Sequence, residues 1–456
     1  MRSTRAPMRV AEAAAAGPTR RAEDDRLSAG LARAVADAGL DALVDFDDVK
    51  GRTAQPAAFL PNVDAALIEL TEAGRIAGVA NVLYDRDSPD GHRVEVDRRT
   101  LSTVGVEFSR WRPDRWEDQA AWAAGPAAPD VTVPSADARK RYMAAYPASV
   151  LKLMVAYSVF RLVDGGRLAL DRSLAYHAVD GRTCGYGPAD GSPKDGATDT
   201  VAGWLDAMTT CSDNFSTCVL LQAIHDHGAL ESANAHFAEL GLPSLRMRPA
   251  MPELGDGWSS GTMSMGALDT AKLLLLVAGA SGTLWEAPDG RAVTADSGLT
   301  AQSRTAFLAD LAEQSFNDVL NPVNLCGSPD AVPGIPSTVP QRWVGDDGHV
   351  RTEGIDFGYD TRPCHEAAQV EFAHKTGLTS DAGGDAGIVR ALPGADGRWY
   401  VVAVLSSIGT RFGDPDWAGS EPNASEGAPY VSYPRGFGRI GAAVDALVVS
   451  RPDPLR

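Results

Sequence analysis

A serine and a lysine three residues apart are the first side chains in this sequence that could do chemistry. Ser149 and Lys152 stand in the run PASVLKLMVAYSVFRLVDGG, where Pro147 precedes an amphipathic segment. Residues three apart share one face of a helix, so the spacing predicts the Lys152 amine beside the Ser149 hydroxyl. A lysine shielded from water can stay neutral and take the proton of a serine, which makes the serine a nucleophile. The start of the helix adds unpaired N–H groups where an oxyanion would form.

Two later triplets extend this pattern. Ser212-Asp213-Asn214 and Lys375-Thr376-Gly377 follow the S-x-x-K pair in the chain. Each triplet alone is also typical of an ordinary turn, helix cap or strand end. In the order S-x-x-K, S-D-N, K-T-G they form the signature of class A β-lactamases and penicillin-binding proteins. The sequence therefore resembles this superfamily of acyl-serine enzymes.

The resemblance implies catalytic roles for four residues. Ser149 would be the nucleophile that accepts the acyl group, and Lys152 its base or proton relay. Ser212 would pass a proton to the leaving nitrogen, and Lys375 would keep a positive potential beside it. Asp213 would hold the loop together without contacting the substrate.

Substrate binding is implied for a second set of residues. Asn214 would bind the amide of the substrate, and Thr376 would donate a hydrogen bond to its carboxylate, which Lys375 also attracts. Gly377 would let the strand backbone approach the ligand, and the N–H groups of Leu378 and of the nucleophile would form the oxyanion hole. Tyr186 stands where the family often has an aromatic residue at the rim of the cleft, although a surface tyrosine is an equal alternative.

The sequence departs from class A where the family carries a deacylating glutamate. Alignment of LRMRPAMPELGDGWSSGTMSM with the family's Ω-loop pattern, Glu-x-x-Leu-Asn, puts Met251 in the place of the glutamate and Gly255 in that of the asparagine. A methionine cannot activate water, and the nearby Glu253 faces away from the site in the family. We therefore expect acylation of the serine to be retained and hydrolysis of a penicilloyl-type ester to be slow.

The composition is that of a soluble globular chain that can bury one large core or two moderate ones. The 456 residues are 44% hydrophobic and 22% charged, which excludes a disordered or fibrous protein. The formal net charge is −18, from 42 basic and 60 acidic residues. This charge opposes binding to nucleic acid or to an anionic membrane. No stretch reaches the ~18 apolar residues that a membrane span needs.

Five cysteines show none of the spacings that are typical of zinc sites. Cys326 and Cys364 flank a loop-rich segment and could form a disulfide if the protein is exported, and the odd count leaves at least one thiol free. The N-terminus lacks an apolar region long enough for a signal peptide. The sequence as it stands predicts a cytoplasmic protein, or an exported one if a leader has been removed. No metal or cofactor is expected.

Periodicity along the chain predicts the following elements. Apolar residues recur at helical spacing from Leu27 to about Leu43. Asn62 is expected to cap a helix that Gly74 ends, and residues 88–91 are expected to form the turn between two strands. Helical patterns then dominate the middle of the chain, and strand patterns return from about residue 365.

This order predicts an α/β, β-lactamase-like fold with two lobes. An antiparallel sheet flanked by helices would form one lobe, helices over about 166–310 the other, and the site would lie in the cleft between them. We predict an N-terminal extension over 1–55, partly disordered and then helical, and a hydrolase domain over 56–456. Two segments are interpreted as insertions, at about 99–142 and 313–365. In an alternative interpretation, residues 26–140 form a separate α+β domain.

The functional hypothesis is a metal-free serine hydrolase or acyltransferase that acts on a small amide, ester or β-lactam carrying a carboxylate. Within the superfamily, β-lactamase, D,D-peptidase and esterase or biosynthetic acyl transfer remain open, and so does a role in antibiotic biosynthesis or resistance. The missing export signal favours a biosynthetic or tailoring role over work on the cell wall. The competing hypothesis is a catalytically weak homologue that uses the cleft to bind a ligand or partner.

Overall fold

The structure of the protein is a computed structural model that describes residues 8–50, 53–112, 131–329, 331–395, 397–417 and 435–450. Its α-helices are α1 (Met8–Ala36), α2 (Lys152–Asp164), α3 (Val201–Thr210), α4 (Asn214–Asp226), α5 (Leu230–Glu239), α6 (Ala267–Ala278), α7 (Ala301–Ala312), α8 (Arg362–Glu366) and α9 (Arg435–Val449). Of the helices in these ranges, none is long and apolar enough to cross a lipid bilayer.

The strands are β1 (Val44–Lys50), β2 (Thr53–Pro56), β3 (Val63–Leu70), β4 (Ile76–Asp85), β5 (Ser88–Arg93), β6 (Glu95–Asp97), β7 (Ser102–Val104), β8 (Val106–Arg110), β9 (Val131–Val133), β10 (Lys140–Ala144), β11 (Ser173–Ala175), β12 (Thr198–Thr200), β13 (Arg246–Met247), β14 (Met263–Ser264), β15 (Trp285–Glu286), β16 (Ala292–Val293), β17 (His349–Thr352), β18 (Ile355–Asp360), β19 (Val370–Leu378), β20 (Gly383–Ala391), β21 (Trp399–Ser406) and β22 (Phe412–Gly413).

The main sheet has six antiparallel strands in the order β19-β20-β21-β3-β4-β5. Strands from the two ends of the chain meet in its middle, where β21 pairs with β3 from Trp399 opposite Leu70 to Ser406 opposite Val63. Helices α1 and α9 pack on one face, and α6 packs on the other. The predicted α/β fold, with an antiparallel sheet built by both ends of the chain and flanked by helices, is confirmed.

The segment after Asn62 is a strand, and the helix predicted there is wrong. All eight residues of β3 are buried. Alternate residues point into two different apolar cores, Val63 and Leu67 into one and Ala66 and Ile68 into the other. A strand that is buried on both faces is apolar throughout, and periodicity alone cannot distinguish it from a buried helix.

The two strands predicted after β3 are present as β4 and β5, but their turn lies earlier than expected. It consists of Arg86 and Asp87, and Ser88 already pairs with Asp85. The side chain of Asp85 accepts a hydrogen bond from the Asp87 N–H at 3.0 Å. An aspartate side chain that accepts a hydrogen bond from the backbone N–H two residues later stabilises a turn. The turn therefore does not need the glycine on which the prediction relied.

The N-terminal helix packs on the main sheet. α1 begins at Met8. Leu27, Leu31 and Val35 in its second half are completely buried in the core beneath the sheet. A Cβ added to Gly78 of β4 would lie 2.5 Å from Leu27 Cδ1, which shows how closely helix and sheet approach. The apolar face of α1 therefore needs the sheet for its burial.

The predicted helical lobe is present, and α2, which precedes residue 166, packs in its core. Every residue of α2 from Lys152 to Phe160 is buried. Residues of α2, α4 and α6 share one continuous apolar core with Ile68 and Val401 of the sheet. The two lobes are thus packed on each other, and a cleft between them has rigid walls.

The segment 313–365 forms a small unit with its own apolar cluster, made of Leu325, Val339, Val350 and Phe357. It contains the β17–β18 hairpin, and the disulfide Cys326–Cys364 joins its two ends. The pairing expected for these two cysteines is therefore present. In the other segment interpreted as an insertion, β8 and β10 pair in parallel, and residues 113–130 lie outside the described residues.

Candidate active site

Ser149 lies in a 3₁₀ turn, Ala148–Leu151, that leads directly into α2. Ala148 has a left-handed backbone with φ of 47°, which costs a residue with a Cβ ~1–2 kcal/mol. Ser149 is partly exposed and lines a cavity, whereas Lys152 is only 1% exposed. The serine therefore faces the cleft, and the lysine lies behind it in the core.

The Lys152 ammonium group binds the S-D-N triplet. Its Nζ donates hydrogen bonds to the Ser212 carbonyl, to Ser212 Oγ at 3.0 Å and to Asn214 Oδ1 at 2.8 Å. The Ser149 hydroxyl makes no hydrogen bond with any residue in the described ranges. The i,i+3 spacing determines on which side of the turn the lysine lies. The hydrogen bonds of its ammonium group are decided by the nearby acceptors, because a buried ammonium group must replace the hydrogen bonds it made with water.

Ser212 is held between two buried lysines. Its Oγ accepts hydrogen bonds from Lys152 Nζ at 3.0 Å and from Lys375 Nζ at 2.9 Å. The Ser212 backbone is left-handed, with φ of 62°, and both its carbonyl and its hydroxyl contact Lys152. Such a conformation costs ~1–3 kcal/mol and persists where surrounding contacts maintain it. Ser212 can therefore exchange a proton with either lysine.

Asp213 and Asn214 begin α4. The Asp213 carboxylate accepts hydrogen bonds from the backbone N–H and the hydroxyl of Ser216, so it caps the helix. Asn214 Oδ1 accepts from Lys152, which determines the orientation of the amide and leaves Nδ2 as a donor. The structure thus places Asp213 where it stabilises the loop. Asn214 both accepts a hydrogen bond from Lys152 and lines the cavity.

Burial shifts both lysines of the site toward the neutral form. The pKa of Lys152 is lowered well below its usual value, first because burial removes its hydration and second because Lys375 is close by. Desolvation lowers the pKa of Lys375 to about 7, although the nearby Asp385 opposes the shift. A proton on one lysine disfavours a proton on the other. A neutral Lys152 amine is the form that could accept the proton of a serine.

The end of β19 packs directly on the nucleophile turn. A Cβ added to Gly377 would lie 2.8 Å from Pro147 O and Val150 N and 2.9 Å from Ser149 N. Glycine was predicted here because a ligand would approach the strand. The structure adds a second reason, which is the close contact between the Gly377 backbone and the nucleophile turn. Real Cβ atoms do not approach backbone atoms so closely, so any other residue must push the strand and the turn apart.

We expect Gly377→Ala to slow acylation of Ser149 about 100-fold, because displacement of a reactive group by about 1 Å has an effect of this size. The measurement is the rate of labelling by a fluorescent penicillin, together with the free energy of unfolding. Gly78→Ala is the matched control, since Gly78 lies on β4 of the same sheet, its Cβ would lie 2.5 Å from Leu27 Cδ1 on α1, and it does not line the cavity. Equal slowing of labelling in both variants would mean that Gly377 acts through overall stability alone.

The sequence-predicted residues meet at one cavity of about 520 Å³. Ser149, Ser212 and Asn214 line it from the helical lobe, and Thr376, Gly377 and Leu378 line it from the sheet. Lys152 and Lys375 lie behind this surface and reach it through Ser212. Within the described ranges, no group of three or more His, Cys, Asp or Glu side chains could hold a metal ion.

Tyr186 stands at the rim of this cavity, as predicted from the resemblance. Its side chain is 42% exposed and stacks on Trp258 with the ring centroids 5.1 Å apart. A disulfide between Cys184 and Cys218 ties its loop to α4, a pairing that the sequence analysis did not predict. The rim is therefore anchored to the helix that carries Asn214.

Neither Met251 nor Glu253 is among the described residues that line the cavity. Glu253 forms an ion pair with Arg182, with 3.4 Å between Oε1 and the guanidinium nitrogen. The Glu253 carbonyl accepts a hydrogen bond from Gln222 at 2.8 Å, so its backbone is also tied down. The Glu253 carboxylate is therefore directed to Arg182 and not to the cavity.

The sequence analysis missed the part of the cavity wall that comes from other segments. Four of these residues, in the segment 313–365, are Phe316, Asp318, Val319 and Glu353, and others are Gly187, Cys211, Phe215, Thr379, Ser380 and Thr410. Thr379 and Ser380 follow the K-T-G motif directly and could have been found from it. Asp318 and Glu353 carry no local signal, because only the packing of their segment brings them to the cleft.

The three motifs that line this cleft are the signature of serine β-lactamases and penicillin-binding proteins. Residues 139–326 match the sequence model of the beta-lactamase enzyme family. The segment contains Ser149, Lys152 and the S-D-N triplet and ends before the K-T-G strand. The resemblance predicted from the motifs is thus confirmed.

No curated protein matches the chain in sequence. Among solved structures, it is similar to a beta-lactamase from Sphaerobacter thermophilus, with 18% identity over 93% of this chain and 98% of that chain and a TM-score of 0.43. A class A beta-lactamase from Bacteroides cellulosilyticus is 17% identical over 86% of this chain and 94% of that chain, with a TM-score of 0.45. The protein PBP-A is 18% identical over 83% and 88%, with a TM-score of 0.41.

Proposed function

We propose that the protein is a serine hydrolase or acyltransferase that forms an acyl-enzyme at Ser149 on an amide, ester or β-lactam carrying a carboxylate. The observation that supports this most directly is the hydrogen bonding of Ser212 Oγ to both Lys152 and Lys375 beside the cavity that Ser149 lines. A hydroxyl bound by two amines of lowered pKa is suited to relay protons. The match of residues 139–326 to the beta-lactamase family model supports the same roles.

In the proposed acylation, the neutral Lys152 amine accepts the Ser149 proton, directly or through the Ser212 hydroxyl. The Ser149 oxygen attacks the substrate carbonyl carbon, and the N–H groups of Ser149 and Leu378 bind the oxyanion that forms. The bond to the leaving atom then breaks, and the Ser212 hydroxyl gives that atom a proton. Lys152 returns a proton to Ser212, so no net charge is left in the core.

Substrate binding in this proposal uses the two sides of the cavity. Asn214 Nδ2 donates a hydrogen bond to the acyl side of the substrate, and Tyr186 covers it at the rim. Thr376 and the ammonium form of Lys375 bind the carboxylate on the side that leaves. Because the pKa of Lys375 is about 7, an arriving carboxylate would favour its charged form.

Hydrolysis of a β-lactam adduct is expected to be slow. Met251 stands where the family carries its water-activating glutamate, and Glu253 is held by Arg182. This observation favours a second candidate within the superfamily, a D,D-peptidase-like penicillin-binding protein. Such a protein would pass the acyl group of a peptide to an amine or to water and would stay blocked by penicillin.

The test is intact-protein mass spectrometry after mixing with benzylpenicillin. We expect a covalent adduct of one penicillin per chain that outlasts the mixing step by minutes or more, with little free hydrolysis product. Rapid hydrolysis without an adduct would contradict the slow deacylation. Absence of both adduct and hydrolysis would favour the ligand-binding hypothesis over an enzyme.

A further inference from the structure

The charged side chains that line the catalytic cavity are all acidic within the described residues. They are Asp213, Asp318 and Glu353, whereas the two lysines of the site lie behind the surface. Asp213 is used by the cap of α4. Asp318 and Glu353 therefore determine the charge that a ligand would meet on this wall.

Asp318 is a buried carboxyl group that lacks a cation partner. It is 2% exposed and lines the cavity, and no Lys, Arg or His in the described ranges lies within ion-pair distance of it. Its hydrogen bonding is with its own backbone amide. Desolvation and the nearby Asp385 raise the pKa of Asp318 to about 7, so a cation in the cavity would favour its ionised form. A buried carboxyl group without a cation within ion-pair distance is suited to bind the cationic group of a ligand.

Glu353 lines the same cavity from the β17–β18 hairpin. Glu353 and Gly354 form the two-residue turn between the paired Thr352 and Ile355, with φ of 47° and 77°. Such turns favour Asn, Asp or Gly at both central positions, so glutamate is an unfavourable choice for the turn itself. Its carboxylate interacts with the thiol of Cys211, the residue before Ser212.

Both carboxylates lie near groups that act on the leaving part of the substrate in the proposed reaction. Glu353 is beside Cys211, the residue that precedes Ser212, the proposed proton donor to the leaving atom. Asp318 is close enough to Lys375 to oppose the lowering of its pKa. The residues that the proposed function assigns to the acyl group, Asn214 and Tyr186, carry no charge.

We propose that the part of the substrate displaced from Ser149 carries a positively charged amino group, bound between Asp318 and Glu353, in addition to its carboxylate. This inference rests on the proposed function and narrows its substrate class to acyl donors with a dipolar, amino-acid-like leaving group. The carboxylate of that group meets Thr376 and Lys375, and its ammonium group meets the acidic wall contributed by the segment 313–365.

The experiment compares two activated esters of phenylacetylglycine that deliver the same acyl group to Ser149. One has a meta-carboxyphenyl leaving group, and the other has the same ring with an added aminomethyl group. In both, the bond from Ser149 Oγ to the acyl carbon forms, the aryl ester bond breaks, and the phenol leaves with a proton. The readout is the second-order rate of acylation, so only the added cation differs.

We expect the native protein to react about tenfold faster with the aminomethyl ester, the size expected for one hydrogen bond to a charged group. Glu353→Gln should reduce this ratio to near one, and Asp318→Asn, where it folds, should do the same. Glu366→Gln is the matched control, because Glu366 is an exposed glutamate directly after this segment that does not line the cavity. It should keep the native ratio.

An equal rate for the two esters in the native protein would overturn the inference while leaving the proposed acyl-enzyme intact. So would a preference that Glu353→Gln and Glu366→Gln change to the same extent. Failure of both esters to acylate the native protein would overturn the proposed function and, with it, the inference. Glu353 is in an exposed turn, so its variant is expected to fold even if the Asp318 variant does not.

Discussion

Ser149→Ala is expected to leave no covalent adduct with benzylpenicillin and no esterase activity. The change removes the only hydroxyl that faces the cavity from the turn at the start of α2, where Ala148 is left-handed and Gly377 packs on the Ser149 N–H. A methyl group cannot form the acyl bond, so the loss should be complete. Intact mass spectrometry and a steady-state ester assay would measure it.

Ser158→Ala, on the helix α2 that follows the turn, is the matched control for this variant. Ser158 is buried, and its hydroxyl donates to the Met154 carbonyl at 2.7 Å. Its removal should cost about 1 kcal/mol of stability and leave the adduct unchanged. An adduct that survives Ser149→Ala would show that another residue is the nucleophile.

Lys152→Met is expected to lower the rate of acylation by about 10²–10⁴-fold, the usual contribution of a positioned base. The methionine fills the space of the lysine stem but removes the donor to the Ser212 carbonyl, Ser212 Oγ and Asn214 Oδ1. Both the base and the support of the S-D-N turn are then lost. The measurement is the rate of labelling by a fluorescent penicillin at saturating and at low concentration.

Lys272→Met is the control that separates catalysis from burial. Lys272 is also completely buried, desolvation lowers its pKa to about 8, and its Nζ donates to the Gly241 carbonyl at 2.6 Å. It lies on α6, away from the cavity, so its replacement should alter the free energy of unfolding without changing the labelling rate. If both lysine variants slow labelling equally, Lys152 has no special role in acylation.

The Lys152 amine was expected beside the Ser149 hydroxyl, whereas in the structure it donates a hydrogen bond to Ser212 Oγ. Spacing of three residues is a local property of a helix, and it predicted the Lys152 amine beside the Ser149 hydroxyl. The acceptors that an interior ammonium group needs come from Ser212 and Asn214, about sixty positions later. Both residues were predicted as members of the site, but their hydrogen bonds to the lysine were not.

The N-terminal half shows how a correct fold can be predicted with wrong elements. Both faces of β3 are buried, so its sequence has the continuous apolar character that a buried helix also has. The helix that does cover the sheet is α1, which precedes it by many residues. The order of elements at the C-terminal end, with β19 to β21 and then α9, agreed with the strand and helix patterns because Gly-rich turns separate them.

By itself, the sequence was enough to predict the kind of chemistry, because the three motifs are short and each lies within one turn or strand end. Ser149, Ser212 and Lys375 could be assigned to one kind of site before any contact between them was known. Only the tertiary structure decided that Asp318 and Glu353 form a wall of the cavity and that Gly377 packs on the nucleophile turn. Contacts of this kind depend on how the cores of distant segments pack, and no local spacing of residues encodes that packing.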